Sequence, residues 1–322
     1  MLRRPAVILP LLFMLVVAAC ALRLVVGGDT LGYASDDLIA EIRWLRVVCG
    51  LGVGGSLAVA GVMLQSLLRN PLASPDLLGL SAGAGLAVMI VAYAGYVATG
   101  SIVPGAASPI AATAGSLAAL ALVYGLSQRR GLMDPVTLIL VGVIVGIVFG
   151  SASSVVRQLL PDGGFQASRL LLGRLSDDTP WPLAWGVLGA GVIGAAVGAW
   201  LGPAMDAASM GDDEASSVGV SMGRLRVWLF IVSGVLTAMT VVVAGPIGFV
   251  GLVVPHAARL LLGPGHRVLV VASALLGGAA IVGADALVRS IDLPTGRLPV
   301  GVVTALLGGP VFILMLRSML TR

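Results

Sequence analysis

Residues 44–79 read WLRVVCGLGVGGSLAVAGVMLQSLLRNPLASPDLLG. From Trp44 to Leu68 the run carries one charge, Arg46, and is longer than the ~20 apolar residues that a helix needs to cross a bilayer core. The following Arg69-Asn70-Pro71-Leu72-Ala73-Ser74-Pro75-Asp76 breaks it, because two prolines and an asparagine disfavour continued helix. A second apolar helix is expected from Leu77 to Val97. Span, polar break, span is the pattern that decides the fold.

The pattern repeats in both directions. Helices are expected over about 5–26, 44–68, 77–97, 109–126, 135–156, 183–201, 225–243, 247–262, 268–288 and 298–316. The chain therefore reads as an all-α polytopic membrane protein with about ten transmembrane helices, in a single transmembrane domain over 1–322. Between the spans lie a polar stretch over 27–42, a less apolar stretch over 157–182 with a short surface helix near Leu170-Leu171-Leu172, and a polar loop over 202–223. Composition agrees. Of 322 residues 58% are hydrophobic and 11% charged, with mean hydropathy +1.07, against about 45–50% apolar and about 25% charged in soluble domains. An ordinary cytosolic enzyme and a disordered chain are both excluded. The run from Ala6 to Val26 is too long for a signal-peptide core and more spans follow, so it reads as a first transmembrane helix.

Net charge is +4, and all 19 basic residues are arginine. They sit sparsely between apolar runs, which fits a positive-inside membrane protein and not a nucleic-acid binder. Ten spans put both termini on one side, and the arginine balance of the loops, by a narrow margin, makes that side cytoplasmic. Without lysine the chain has no P-loop ATPase site of its own, no Schiff-base chemistry and no S-x-x-K nucleophile. Cys20 and Cys49 read as small buried hydrophobes without C-x-x-C spacing. His256 and His266 form no metal-ligand cluster, so no metal site is expected.

Small residues recur at helical spacing. Gly142, Gly146 and Gly150 share one face, as do Gly194 and Gly198, and such faces let helix backbones approach where lipid supplies no hydrophobic drive. The first of them, continued by Ser151 and Ser154, is also a candidate border of a translocation path. Asp285 is the lone acid well inside a predicted helix, a functional candidate by default, with an i,i+4 pair to Arg289 as the structural alternative.

Three longer motifs appear in order. The first is Arg43-x-x-Arg46, then Gly61-x-x-x-Gln65-x-x-x-Arg69-Asn70-Pro71-Leu72-Ala73-x-Pro75-x-Leu77-Leu78-Gly79. The second is Ala244-Gly245-Pro246-Ile247-x-Phe249-Val250-Gly251-Leu252-Val253-Val254-Pro255-His256-x-Ala258-Arg259. The third runs from Leu298-Pro299-Val300-Gly301 to Gly308-x-Pro310-Val311-Phe312. Together they resemble the FecCD-type permeases of ABC importers, which take up ferric siderophores, haem and vitamin B12, and the resemblance extends from about residue 40 to the end.

That resemblance implies a ten-span subunit of a homodimer or pseudo-dimer in the bacterial inner membrane, with two separate cytoplasmic ATPase subunits and a periplasmic or lipid-anchored substrate-binding protein. ATP and Mg would belong to the partner ATPase, leaving no cofactor on this chain. The loop Met210-Gly211-Asp212-Asp213-Glu214-Ala215-Ser216-Ser217-Val218-Gly219-Val220 resembles the family's coupling helix. Asp213, Glu214 and Ala215 would start it, where the helix dipole favours acids. Val218 and Val220 would flank Gly219 for close approach to a groove on the ATPase. Arg43 and Arg46 match basic residues that face acids of the binding protein, with Arg297 a weaker match. Gln65, Arg69, Asn70, Pro71, Pro255 and His256 read as structural: the broken helix frees backbone groups that Gln65 and Asn70 would satisfy, and His256 would bond locally.

The function expected is ATP-powered import of an iron chelate, a ferric siderophore first, by alternating access, with haem or cobalamin as alternatives. An ion-coupled secondary transporter would need midplane coupling groups, for which Asp285 alone is thin support. An intramembrane enzyme has no supporting cluster.

Overall fold

The computed structural model describes residues 5–27, 30–32, 36–100, 107–129, 132–161, 173–291 and 298–320. The order is α1 (Pro5–Val25), α2 (Asp37–Leu68), a 3-10 turn (Pro75–Leu78), α3 (Leu80–Thr99), α4 (Ala107–Leu126), α5 (Pro135–Leu159), α6 (Trp181–Met210), α7 (Asp212–Ser217), α8 (Met222–Ala244), α9 (Val250–Leu262), α10 (His266–Arg289) and α11 (Val300–Leu320). Two-residue β-pairs, Val26–Gly27 with Thr30–Leu31 and Gln128–Arg129 with Leu132–Met133, close two of the loops. Among the described residues, eight helices are long and apolar enough to cross a membrane, and α9 and α11 supply two shorter apolar segments.

The axis of the fold is α2. Its stretch 47–64 has one polar side chain, Ser56, and 94% of the helix's most hydrophobic window is buried, as expected of a helix surrounded by others. It is packed by α6, α8, α9 and α10. Small residues make this possible: Gly54 meets the Gly277 backbone on α10, and Gly61 meets the Gly251 backbone on α9, each too close for a Cβ. The core around Met63, Leu64, Leu229 and Phe230 joins α2 to α8. By contrast α1 and α5 leave most of their apolar surface uncovered, with 17% and 11% of their windows buried.

Two boundaries differ from the sequence reading. The polar stretch expected over 27–42 is already helical from Asp37, because Asp36 caps α2, its Oδ1 accepting the Leu38 N–H at 2.9 Å. The loop expected over 202–223 is mostly helix: α6 continues to Met210 because Met205 and Ala208 belong to the core, and α7 follows after Gly211. The short helix expected near Leu170–Leu172 lies outside the described residues.

Candidate functional site

The 3-10 turn re-enters the bundle. A Cβ on Gly251 would lie 2.6 Å from Pro75 Cδ and 2.9 Å from the Leu57 carbonyl oxygen, so Pro75 is level with the stretch Leu57–Gly61 of α2. That stretch is seven to eleven residues before the end of α2 at Leu68, or about 10–16 Å along the axis. From the other side, Gly142 of α5 packs on the Leu77 carbonyl without room for a Cβ, and Gly146 sits with its Cβ position 3.7 Å from Gly79 Cα. Thus two glycines of the candidate path face are covered by the turn, while Gly150 meets nothing within 4 Å. Ser151 and Ser154 are exposed.

The break that creates this turn is held by polar side chains. Arg69 ends α2 in the left-handed conformation (φ 48°), and its N–H and that of Asn70 bond back to the helix. The Asn70 carboxamide oxygen accepts the Leu72 N–H at 2.9 Å. Gln65 donates to the Leu252 and Ala73 carbonyls at 3.4 and 3.5 Å and accepts from Arg259 at 3.2 Å. Pro71 follows Asn70 in the turn, and Pro255 is buried inside α9. His256 is buried, and its Nε2 finds no hydrogen-bond partner among the described residues.

On the face where α2 ends, α7 is bolted to the bundle through its first residue. Asp212 pairs with Arg69 at the end of α2 and, at 2.7 Å, with Arg226 at the start of α8. Arg226 also donates to the Met133 carbonyl at 3.3 Å. Asp213, Glu214, Val218 and Gly219 remain exposed, whereas Ala215 is fully buried. The helix stops in a Schellman arrangement. The Val220 N–H bonds to the Ala215 carbonyl and the Gly219 N–H to that of Ser216, each at 3.0 Å, with Gly219 at φ +86°. Val220 then packs on the core. The result is a short helix tied to the bundle through Asp212, with one acidic and apolar outer face.

The opposite face carries a charge cluster that the sequence does not announce. Asp285 is 0% exposed, and it is bound not by Arg289 but by Arg23 of α1 (2.5 Å) and by both Nε (3.0 Å) and Nη2 of Arg46 of α2. Arg289 instead holds Asp177 at 2.5 Å, and Arg46 reaches the same Asp177 at 2.6 Å. Burial would raise the Asp177 carboxyl, but hydrogen bonds and charge from Arg289 and Arg46 outweigh it and hold that carboxyl below the usual carboxylate range.

This changes the reading of the docking arginines. Arg46 is 4% exposed with its guanidinium committed inside the chain, and Arg43 is turned inward to the Leu24 and Gly32 carbonyls. Neither presents a charge to a partner in this arrangement. Arg297 lies outside the described residues. Arg23 and Asp177 were missed in the sequence; the available signal was Asp285 itself, since a buried acid in a membrane protein requires a cation. Because Asp285 has two, it is no free coupling-ion group.

Among the described residues no cluster of His, Cys, Asp and Glu is arranged to hold a metal.

Comparison with known proteins gives one consistent match. The model of the FecCD transport family covers residues 7–318. The cobalamin import system permease protein of Halobacterium salinarum is 37% identical over 286 residues, 87% of this chain and 73% of its own length. The Fe(3+)-citrate import system permease protein of Bacillus subtilis is 36% identical, covering 89% and 83%. A solved structure described as an inward-facing conformation of a metal-chelate type ABC transporter superposes with TM-score 0.84 at 25% identity, covering 98% of this chain and 99% of that one.

Proposed function

Because the chain belongs to the FecCD transport family and is a multi-span permease of the ABC importer type, we propose that it imports an iron chelate, a ferric siderophore first, across the bacterial inner membrane. Haem and cobalamin are the alternative cargoes; relatives named for cobalamin and for ferric citrate match it almost equally well. The chain itself performs no chemistry. Two copies would enclose the path, a pair of ATPase subunits would dock on the face that carries α7, making that face and both termini cytoplasmic, and a binding protein would deliver the chelate to the other face.

The observation that carries the reading is α7. Its Asp212 ties it to α2 and α8, while Asp213, Glu214, Val218 and Gly219 face outward. A force applied to that outer face by closing ATPases passes through Arg69 to the break at Asn70–Pro71, and through Arg226 to α8. The 3-10 turn beside Gly142 and Gly146 of α5 is next in line. Movement of this turn against α5 would open one end of the path as the other closes, which is alternating access.

The test is uptake of radiolabelled iron as siderophore complexes or haem, and of labelled cobalamin, by a strain lacking this chain and by the same strain with the chain restored. Loss of uptake of one iron chelate, with recovery on restoration, is expected. Loss of cobalamin uptake alone would overturn the iron assignment and keep the importer.

A further inference from the structure

Two non-glycine residues among those described have positive φ, Arg69 at 48° and Phe249 at 68°, and both stand at helix breaks. Arg69 caps the end of α2, where a left-handed residue is a common stop, and its N–H bonds back to the helix. Phe249 stands instead at the start of α9, where the capping residue is normally extended and its side chain takes up a free N–H. It makes no side-chain cap bond, and its ψ of −27° falls below the about +30 to +60° of the left-handed basin. For a bulky side chain this backbone is strained, and such strain persists only where the surroundings impose it.

The anchor of the ring is on α11. A Cβ on Gly308 would lie 2.6 Å from Phe249 Cβ and 2.9 Å from its Cγ, so the side chain seats where only glycine leaves room. The ring tip, Cζ, is 3.8 Å from the Cβ position of Gly309, an ordinary contact. Two turns earlier on the same face of α11, the Cβ position of Gly301 lies 3.2 Å from the Pro246 carbonyl oxygen. Two of the sequence motifs thus meet: one supplies the unwound segment 245–249 between α8 and α9, the other the helix it rests on. On the other side of that segment, Gly251 packs on Pro75 without room for a Cβ, and the Cβ position of Gly248 is 3.8 Å from Asp76 Oδ2. The unwound segment is therefore held between the re-entrant turn and α11, by contacts within one chain.

We propose that Phe249 is a two-position peg that relays movement of the re-entrant turn to α11. Seated against Gly308, it holds the start of α9 on α11 with a strained backbone. When the turn displaces the start of α9, the ring leaves Gly308, φ relaxes to negative values and α11 is freed. That ATPases drive the turn through α7 rests on the importer reading above; the strained seat does not.

Two measurements on the full-length chain test this. In the first, Phe249 is replaced by 4-fluorophenylalanine and its fluorine resonance is followed in lipid nanodiscs. Gly308→Ala, which drives a methyl group into the Cβ of residue 249, should move the resonance to a second position, and Gly309→Ala, whose methyl has room, should leave it in place. With the ATPase subunits assembled, the chain with glycine at 308 should take up that second position when nucleotide is trapped with vanadate and return when it is released. In the second, Gly308→Ala should lower the unfolding temperature. Uptake of the siderophore, haem or cobalamin probe that the unsubstituted chain restores should fall about tenfold or more, the population shift that strain of this kind carries. Adding Phe249→Gly removes both the clash and the left-handed penalty, so the unfolding temperature should recover while uptake stays low and ATP hydrolysis persists. Recovery of uptake together with stability would make Phe249 a packing residue and overturn the proposal, as would a resonance indifferent to Gly308→Ala or to trapped nucleotide. A resonance that moves with Gly308→Ala in a chain that assembles with no ATPase would keep the peg and sink the importer reading instead.

Discussion

The two ends of the bundle use the same device, one aspartate held by two arginines from different segments, at opposite extremes of burial. Asp285 with Arg23 and Arg46 has side chains 1%, 3% and 5% exposed. Asp212 with Arg69 and Arg226 has side chains 44%, 42% and 17% exposed. Removing one partner of a buried ion pair typically costs about 3–5 kcal/mol, because the other charges stay behind without water. An exposed pair contributes about 0.2–1 kcal/mol. The first cluster therefore fastens α1, α2 and α10 permanently. The second is weak enough to be remade, as a joint between a moving partner and the bundle must be.

The largest expected effect breaks the first cluster. Asp285→Ala leaves Arg23 and Arg46 buried and unpaired, and should destabilise the chain by about 3–5 kcal/mol. Detergent-solubilised protein should show a lowered unfolding temperature or fail to accumulate in membranes. Adding Arg23→Met and Arg46→Met should recover much of the loss, since apolar replacement of a whole buried ion cluster is often neutral. No recovery would mean that the cluster does more than hold helices together. A smaller effect comes from the joint. Gly219→Ala meets no neighbour within 4 Å, so its cost is that of φ +86° alone, about 1–2 kcal/mol of local order. Uptake should fall several-fold with global stability nearly unchanged, and a bulky charged residue there should abolish ATP-coupled uptake.

The difference between the ends also explains what the sequence discloses. The apolar helices and the break at Arg69–Asp76 are legible because most of the spans are local runs of ~20 apolar residues and the two prolines are local. Helix ends outside the hydrocarbon are less so: Asp36 and Asp37 read as loop by hydropathy, yet cap and start α2. The partners of Asp285 are not legible at all. Arg289, four residues away, is the natural local choice, but Arg23 is 262 residues away and reaches Asp285 only because α1 packs on α10. Likewise the motif that nominates Arg43 and Arg46 for docking carries no sign that both turn inward.

Asp212→Ala sharpens the comparison from the exposed side. It should cost at most about 1 kcal/mol per lost pair, so the unfolding temperature should barely move. Yet it unties α7 from both Arg69 and Arg226, and ATP-driven uptake should drop by about tenfold or more, with ATPase activity of the assembled transporter persisting. Uptake at the unsubstituted level would show that the joint transmits through Ala215 and Val220 packing instead.

The smallest effect is at the rim of the buried cluster, where Asp177 is 41% exposed and shared by Arg46 and Arg289. Its carboxyl is held below the usual carboxylate range, so the folded state favours the ionised form. For a lowered acid the stabilisation is complete above the unfolded value, about 3.9, and disappears as pH falls through the folded value. The difference in unfolding temperature between the unsubstituted chain and Asp177→Asn should accordingly be flat from pH 8 to pH 5 and shrink below about pH 4. Solvent screening keeps it small throughout. A difference that grew toward acid pH would reverse the sign and mean that Asp177 carries its proton in the folded chain. Arg46 would then rely on Asp285 alone, and the cluster would end at the buried aspartate.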